Sequence, residues 1–140
     1  MKDLIMDASV FTAWFLNEIN SQKAVDLQDS YNLSAPETIL YEVSNAIWKA
    51  KRRKQINDED AAIFINALHD IENITYYPCR KYIKKAYALT GEINHDYIYD
   101  CIYLALSLDL DIPLVTADKN FIKKLTKTRY KKSVLYLGDL

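Results

Sequence analysis

The sequence predicts an α/β domain with a short, mostly parallel central sheet flanked by helices. Apolar runs of three to five residues alternate with longer stretches whose apolar positions recur every three or four residues. Turn and cap residues (Pro36, Asn57, Pro78, Gly91, Asn94, Pro113) punctuate the alternation. At 140 residues the chain is long enough to bury one core, so residues 1–140 are expected to form a single domain.

Taken in order, Leu4-Ile5-Met6 reads as a buried strand, and Val10 through Leu16 as a first helix. Ser21 opens a second helix to Asp29, and Asn32 to Ala35 is a strand closed by Pro36, which suits the first turn of the next helix. Ile39, Val43, Ala46, Ile47 and Ala50 then mark a long amphipathic helix. Asn57 is an N-cap, with Asp58-Glu59-Asp60 in the dipole-favoured first turn of a helix to about His69. Ile74 to Tyr77 is a strand. Lys81 to Leu89 is a helix, with Gly91 at its left-handed C-terminal position. Asn94 is expected to cap the most apolar helix, Asp96 to Leu108. Leu114-Val115-Thr116 is a strand, Asn120-Phe121-Ile122 begins a short basic helix, and Val134 to Leu137 is the last strand.

Half the residues are apolar and 26% are charged, which excludes disorder. Charges break every apolar stretch well before the ~20 residues of a membrane span, and the N-terminus reads as a strand rather than a signal peptide, so a soluble cytoplasmic protein is expected. Cys79 and Cys101 lack metal-site spacing and read as thiols of a reducing compartment. The net charge of −1 decides nothing about nucleic acid, but the cations cluster. Lys49, Lys51, Arg52, Arg53 and Lys54 form one run, and residues 119–132 carry seven more, beginning with Lys119. The 49–54 run is either a solvated helix end or a track for RNA phosphates.

The acids carry the chemistry. In open α/β sheets, ligands bind outside the carboxyl ends of the strands. Asp7 directly follows one apolar strand and Asp118 lies two residues past another, so parallel neighbours would bring both to one crevice. Either alone could be an ordinary turn or cap residue. Asp100 interrupts a helix that is apolar nearly all round, where a charge is costly unless paired or metal-bound. Glu42 interrupts the Ile39–Ile47 stripe, though alone it could sit on a helix surface. Together the four are hard oxygen donors without His or Cys, a set that selects Mg²⁺ or Mn²⁺ and suggests phosphoryl chemistry.

Four segments, in this order, resemble the PIN-domain superfamily, and within it the VapC toxins of prokaryotic toxin–antitoxin pairs. They are Leu4-Ile5-Met6-Asp7-Ala8-Ser9-Val10, Ser34-Ala35-Pro36 through Tyr41-Glu42-Val43-Ser44-Asn45-Ala46, Tyr99-Asp100-Cys101-Ile102-Tyr103-Leu104-Ala105-Leu106, and Leu114-Val115-Thr116-Ala117-Asp118-Lys119-Asn120-Phe121. No single segment is specific; the ordered set is. The resemblance implies a single PIN-like nuclease domain, a hydrolase with metal-dependent endoribonuclease activity, with Asp7, Glu42, Asp100 and Asp118 as its catalytic and metal-binding acids. It also implies a homodimer, an RNA substrate and a small VapB-like antitoxin that blocks the site. Ser9 and Thr116 match positions where the family often places a hydroxyl beside the acids, while Cys101 departs from its usual small residue.

Asp96, four residues before Asp100, would share its helix face as an outer acid or serve as a first-turn Asp. His69 and His95 are not spaced for a joint metal site; His95 could touch RNA near the mouth. Phe11, Trp14, Phe15 and Trp48 are either core residues or anchors for an antitoxin helix laid across residues 10–16 and 39–48. A haloacid-dehalogenase-type phosphatase would need Asp-x-Asp where the chain has Asp7-Ala8-Ser9. A housekeeping PIN nuclease and a non-catalytic RNA- or protein-binding module are the remaining alternatives.

Overall fold

The computed structural model describes residues 1–140. Strand β1 (Lys2–Met6) leads through helices α1 (Ala8–Thr12) and α2 (Ser21–Ser30) to β2 (Tyr31–Pro36). Helices α3 (Ile39–Arg52) and α4 (Asp58–Asp70) lead to β3 (Ile74–Tyr77), and α5 (Ile83–Ile93) and α6 (Ile98–Leu110) to β4 (Leu114–Thr116). Helix α7 (Lys119–Leu125) precedes β5 (Val134–Tyr136).

All four strand pairings are parallel, in the order β3-β2-β1-β4-β5. Leu4, Ile5, Met6, Leu114 and Val115 are fully buried, as expected for central strands of a parallel sheet covered on both faces. Helix α6 packs against β1, β2 and β4 and buries every residue from Cys101 to Ser107, which explains why its sequence is apolar nearly all round. One cluster of 33 buried apolar residues links strands and helices, so the chain has a single core. The chain runs outward from β1 to β3 and then returns to place β4 on the other side of β1. The strand order therefore reverses between β1 and β4, the topological switch point where such sheets hold ligands. No helix is long and apolar enough to cross a membrane.

Several helix boundaries differ from the sequence expectation. Helix α1 stops at Thr12 rather than Leu16, because Trp14 and Phe15 donate to carbonyls three residues back, at Phe11 and Thr12, in tight turns. The Trp14 indole also donates to Ala24 O at 2.8 Å, which pins the chain out of the helix. Pro36 ends β2 instead of starting α3. Glu37 N donates to Tyr77 O at 2.9 Å, so the Pro36 nitrogen faces the β1 side, beyond the last pair, Ile5 with Ser34.

Gly91 lies within α5, and Asn94 takes the left-handed position expected of it, at φ 52° and ψ 48°. The amides of Asn94 and His95 return to Gly91 O and Thr90 O, the paired bonds of a Schellman end. Asn94 thus closes α5 rather than capping α6. Helix α6 starts at Ile98 after an extended Tyr97, and Asp96 lies outside it on an exposed bend. Asp96 is therefore neither a first-turn acid nor a face-mate of Asp100.

Candidate active site

Asp7 and Asp118 arrive at the switch point because β1 and β4 are hydrogen-bonded neighbours, with Met6 paired to Val115 and Asp7 N donating to Val115 O at 3.2 Å. Both acids also do the ordinary job considered for them. Asp7 caps α1, accepting from Val10 N, and Asp118 caps α7, accepting from Asn120 N and Phe121 N. Two hydroxyls knit the strand ends together. Ser9 Oγ donates to Asp7 Oδ1 at 2.5 Å and accepts from Ala117 N at 2.9 Å, while Thr116 Oγ1 accepts from Asp118 N at 3.1 Å. The two hydroxyl oxygens are 3.4 Å apart.

Asp100 projects from the first turn of α6 and Glu42 from the first turn of α3. Glu42 Oε1 accepts from the Tyr103 hydroxyl at 2.9 Å, and Asp100 Oδ2 bonds His95 Nε2 at 2.5 Å. The sequence reading missed both supports. Tyr103 could have been found, since it lies three residues after Asp100 on the same helical face. His95 carries no such periodic signal, and it does not open to solvent: its side chain is only 6% exposed and is turned to Asp100.

A common pattern runs through the four acids. The hydrogen bonds of the fold fall on one oxygen of each: Asp7 Oδ1, Glu42 Oε1, Asp100 Oδ2 and Asp118 Oδ1. The opposite oxygens carry none of these bonds. Burial pushes the Asp7 carboxyl up to about 7, against the pull of the Ser9 and Thr116 hydroxyls and with a further push from Asp100. Burial also raises Glu42 and Asp100; the Asp100 charge adds to the first and the Asp118 charge to the second, while His95 partly offsets the rise at Asp100. Asp100 is thus the shared electrostatic neighbour of the other three. Burial, together with the Glu42, Asp7 and Asp100 charges, keeps the Tyr103 phenol protonated, so it remains a donor to Glu42.

Crowded carboxylates that repel one another, each with an uncommitted oxygen, fit a divalent cation. The side chains do not complete a ligand set by themselves, since no three His, Cys, Asp or Glu residues converge tightly enough. Mg²⁺ in general keeps several waters and takes one or two carboxylates plus substrate phosphate oxygens.

A groove of about 550 Å³ opens beside Glu42, lined also by Ser9, Glu18, Asn45, Lys49 and Tyr99. Lys49 is the one residue of the 49–54 run that reaches it. Lys51 instead leans on Trp48, 5.5 Å from the ring centre, and on Asp58 at 3.8 Å, while Arg52 and Arg53 are exposed at the far end of α3. Lys119, next to Asp118, lies 5.6 Å over the Tyr136 ring. Of the four aromatics considered as anchors, Phe11 is fully buried and belongs to the core. Trp14 and Phe15 pack against it with ring centres 5.0 and 5.6 Å away, and only Trp48 is exposed, at 55%.

Comparison with known proteins agrees with this fold. A family model, "PIN domain", matches residues 4–125. The chain is 27% identical over 124 residues to Ribonuclease VapC3 of Pyrobaculum aerophilum, covering 86% of this chain and 93% of that protein. Among solved structures it resembles PAE2754 from Pyrobaculum aerophilum, with a TM-score of 0.69 and 17% identity over 99% of this chain and 91% of that one. It also resembles a chain of a toxin–antitoxin complex from Klebsiella pneumoniae, with a TM-score of 0.64 and 14% identity, covering 96% of this chain and 98% of that one. At such identities the two structural likenesses concern the fold.

Proposed function

The chain belongs to the PIN domain family, and from that premise we propose that it is a divalent-metal-dependent endoribonuclease acting in the cytoplasm as the toxin of a toxin–antitoxin pair. The observation that carries the reading is the set of four acids at the switch point, each held through one oxygen with the other uncommitted. Asp7, Asp100, Asp118 and Glu42 would hold Mg²⁺ or Mn²⁺. When bound, the ion supplies positive charge against phosphate oxygens and makes water acidic enough to act as a nucleophile at neutral pH.

The chain's own residues do the rest. Ser9 and Val10 fix Asp7, the α7 amides fix Asp118, and Tyr103 fixes Glu42, so the donors are oriented before substrate arrives. Lys49 in the groove is placed to meet a backbone phosphate of an RNA strand, and Lys119 is a second cation beside the acids. The ribonuclease name of the Pyrobaculum relative supports RNA as substrate, and the Klebsiella complex supports a protein antitoxin as partner. An antitoxin is expected to cover the groove and offer a cation to the acids, with exposed Trp48 as an apolar contact on α3. A two-fold dimer is the expected assembly of the free chain.

Purified chain is expected to cleave single-stranded RNA with Mn²⁺ or Mg²⁺, to lose cleavage in EDTA and to regain it when the ion is restored. Cleavage that persists undiminished in EDTA, or none with either ion, would overturn the reading.

A further inference from the structure

We infer that His95 is a positioning residue for the acidic site, holding Asp100 in the orientation that offers its free oxygen to the ion and setting its spacing from Asp118. The inference rests on the nuclease reading above. His95 sits in the connection between α5 and α6, yet its ring turns inward to bond Asp100 Oδ2 at 2.5 Å. The ring also packs at a tilt against Phe121, with the two centres 5.1 Å apart. Phe121 is the residue whose amide, at 3.3 Å, helps cap Asp118 Oδ1. One imidazole therefore bonds one acid and abuts the helical turn that holds another.

Only one of the two ring nitrogens is engaged. Nδ1 is buried and has no hydrogen-bond partner. A ring present only to fasten the loop would be expected to satisfy both nitrogens, as buried polar atoms ordinarily are satisfied. The loop is fastened by other bonds: His95 N donates to Thr90 O at 3.1 Å, and Lys124 Nζ to Asn94 O at 3.0 Å. The only polar contact of the side chain is Asp100. Toward a carboxylate, which can only accept, Nε2 acts as the donor. With Oδ2 held in this way, Oδ1 remains as the oxygen free to bind an ion. Without the ring, Asp100 can swing away from Asp118, whose charge repels it.

Three substitutions separate positioning from packing. His95→Phe keeps the ring against Phe121 but has no donor. His95→Gln places an amide nitrogen near the Nε2 position, and His95→Asn places one near Nδ1, too short to reach Asp100. Mn²⁺ affinity, read by the paramagnetic resonance of free Mn²⁺, is expected to weaken roughly 10- to 100-fold in the Phe and Asn variants and to stay within about threefold in the Gln variant, the range for outer-shell partners of metal ligands. RNA cleavage should follow the same order, and the melting temperature of the Phe variant in EDTA should not fall. If the Phe variant does not fold, the contrast between Gln and Asn carries the same test. A Phe variant that binds Mn²⁺ as tightly as wild type, or a Gln variant that falls as far as Phe, overturns the positioning role while leaving the nuclease reading intact. A wild-type chain that takes up no Mn²⁺ and cleaves no RNA overturns both.

Discussion

Asp100→Asn is expected to lower RNA cleavage by about a thousandfold or more while leaving the fold intact. The amide has the shape of the carboxyl, and its oxygen can still accept from His95 Nε2, which now meets Asp100 Oδ2 at 2.5 Å. Its NH₂ group then occupies the place of the free oxygen, and an NH₂ cannot ligate a cation. What is lost is the proposed ligand and a charge in the middle of the cluster, since the Asp100 charge acts on Asp7 and Glu42 and the Asp118 charge acts on Asp100. Metal-borne charge stabilisation is worth several kcal/mol in the transition state, and each ~1.4 kcal/mol is tenfold in rate. Cleavage by the variant under saturating Mn²⁺, measured beside its melting temperature, checks both halves. Full activity would remove Asp100 from the site.

Asp7→Asn is expected to raise the stability of the metal-free chain at neutral and alkaline pH. The Asp7 carboxyl is 4% exposed, and burial pushes its titration from 3.8 to about 7. A folded-state value above the unfolded one means that the native chain holds its proton more tightly. That stabilises the fold fully below pH ~4 and is lost as pH rises toward ~7, a swing of about 4 kcal/mol at ~1.4 kcal/mol per unit. Asn cannot ionise and keeps an oxygen for Ser9 and Val10 N, so it escapes the loss. In EDTA at pH 8 the variant should melt on the order of 10 °C above wild type, and the two should converge near pH 4. Added Mn²⁺ should narrow or reverse the gap, because an ion that binds only the native carboxylates stabilises wild type. A variant that melts well below wild type at pH 8 would mean that Asp7 is a structural cap and little else.

The features legible in the sequence were those written in burial. Leu4-Ile5-Met6 and Leu114-Val115-Thr116 are buried on both sides, so their apolar runs marked the strands, and the acids just beyond them marked the switch point. Asp100 stood out because Cys101 to Ser107 leave its helix almost no solvent. Helix ends were less legible. Helices α3, α5 and α6 close on Lys54, Asn94 and Asp111 at φ 58°, 52° and 53°, and none of these is the glycine that signals such a turn. Gly91, the visible glycine, lies inside α5. That shift moved Asp96 off the helix and brought His95 inward, so the support of Asp100 was hidden behind a left-handed turn that an asparagine does not announce as a glycine would. Phe11 was ambiguous for a different reason. An aromatic on a short helix reads the same whether the helix faces the core or a partner, and here it faces the core.

The central claim is that a divalent cation sits on the uncommitted oxygens of the acidic cluster. Anomalous scattering from crystals of the chain soaked in Mn²⁺ tests it most directly. The expected result is a peak within about 2.2 Å of at least one or two of Asp7 Oδ2, Asp100 Oδ1, Asp118 Oδ2 and Glu42 Oε2, absent from crystals of the Asp100→Asn variant. An ion found only elsewhere on the molecule, or no peak at the switch point under conditions where the chain cleaves RNA, would contradict it.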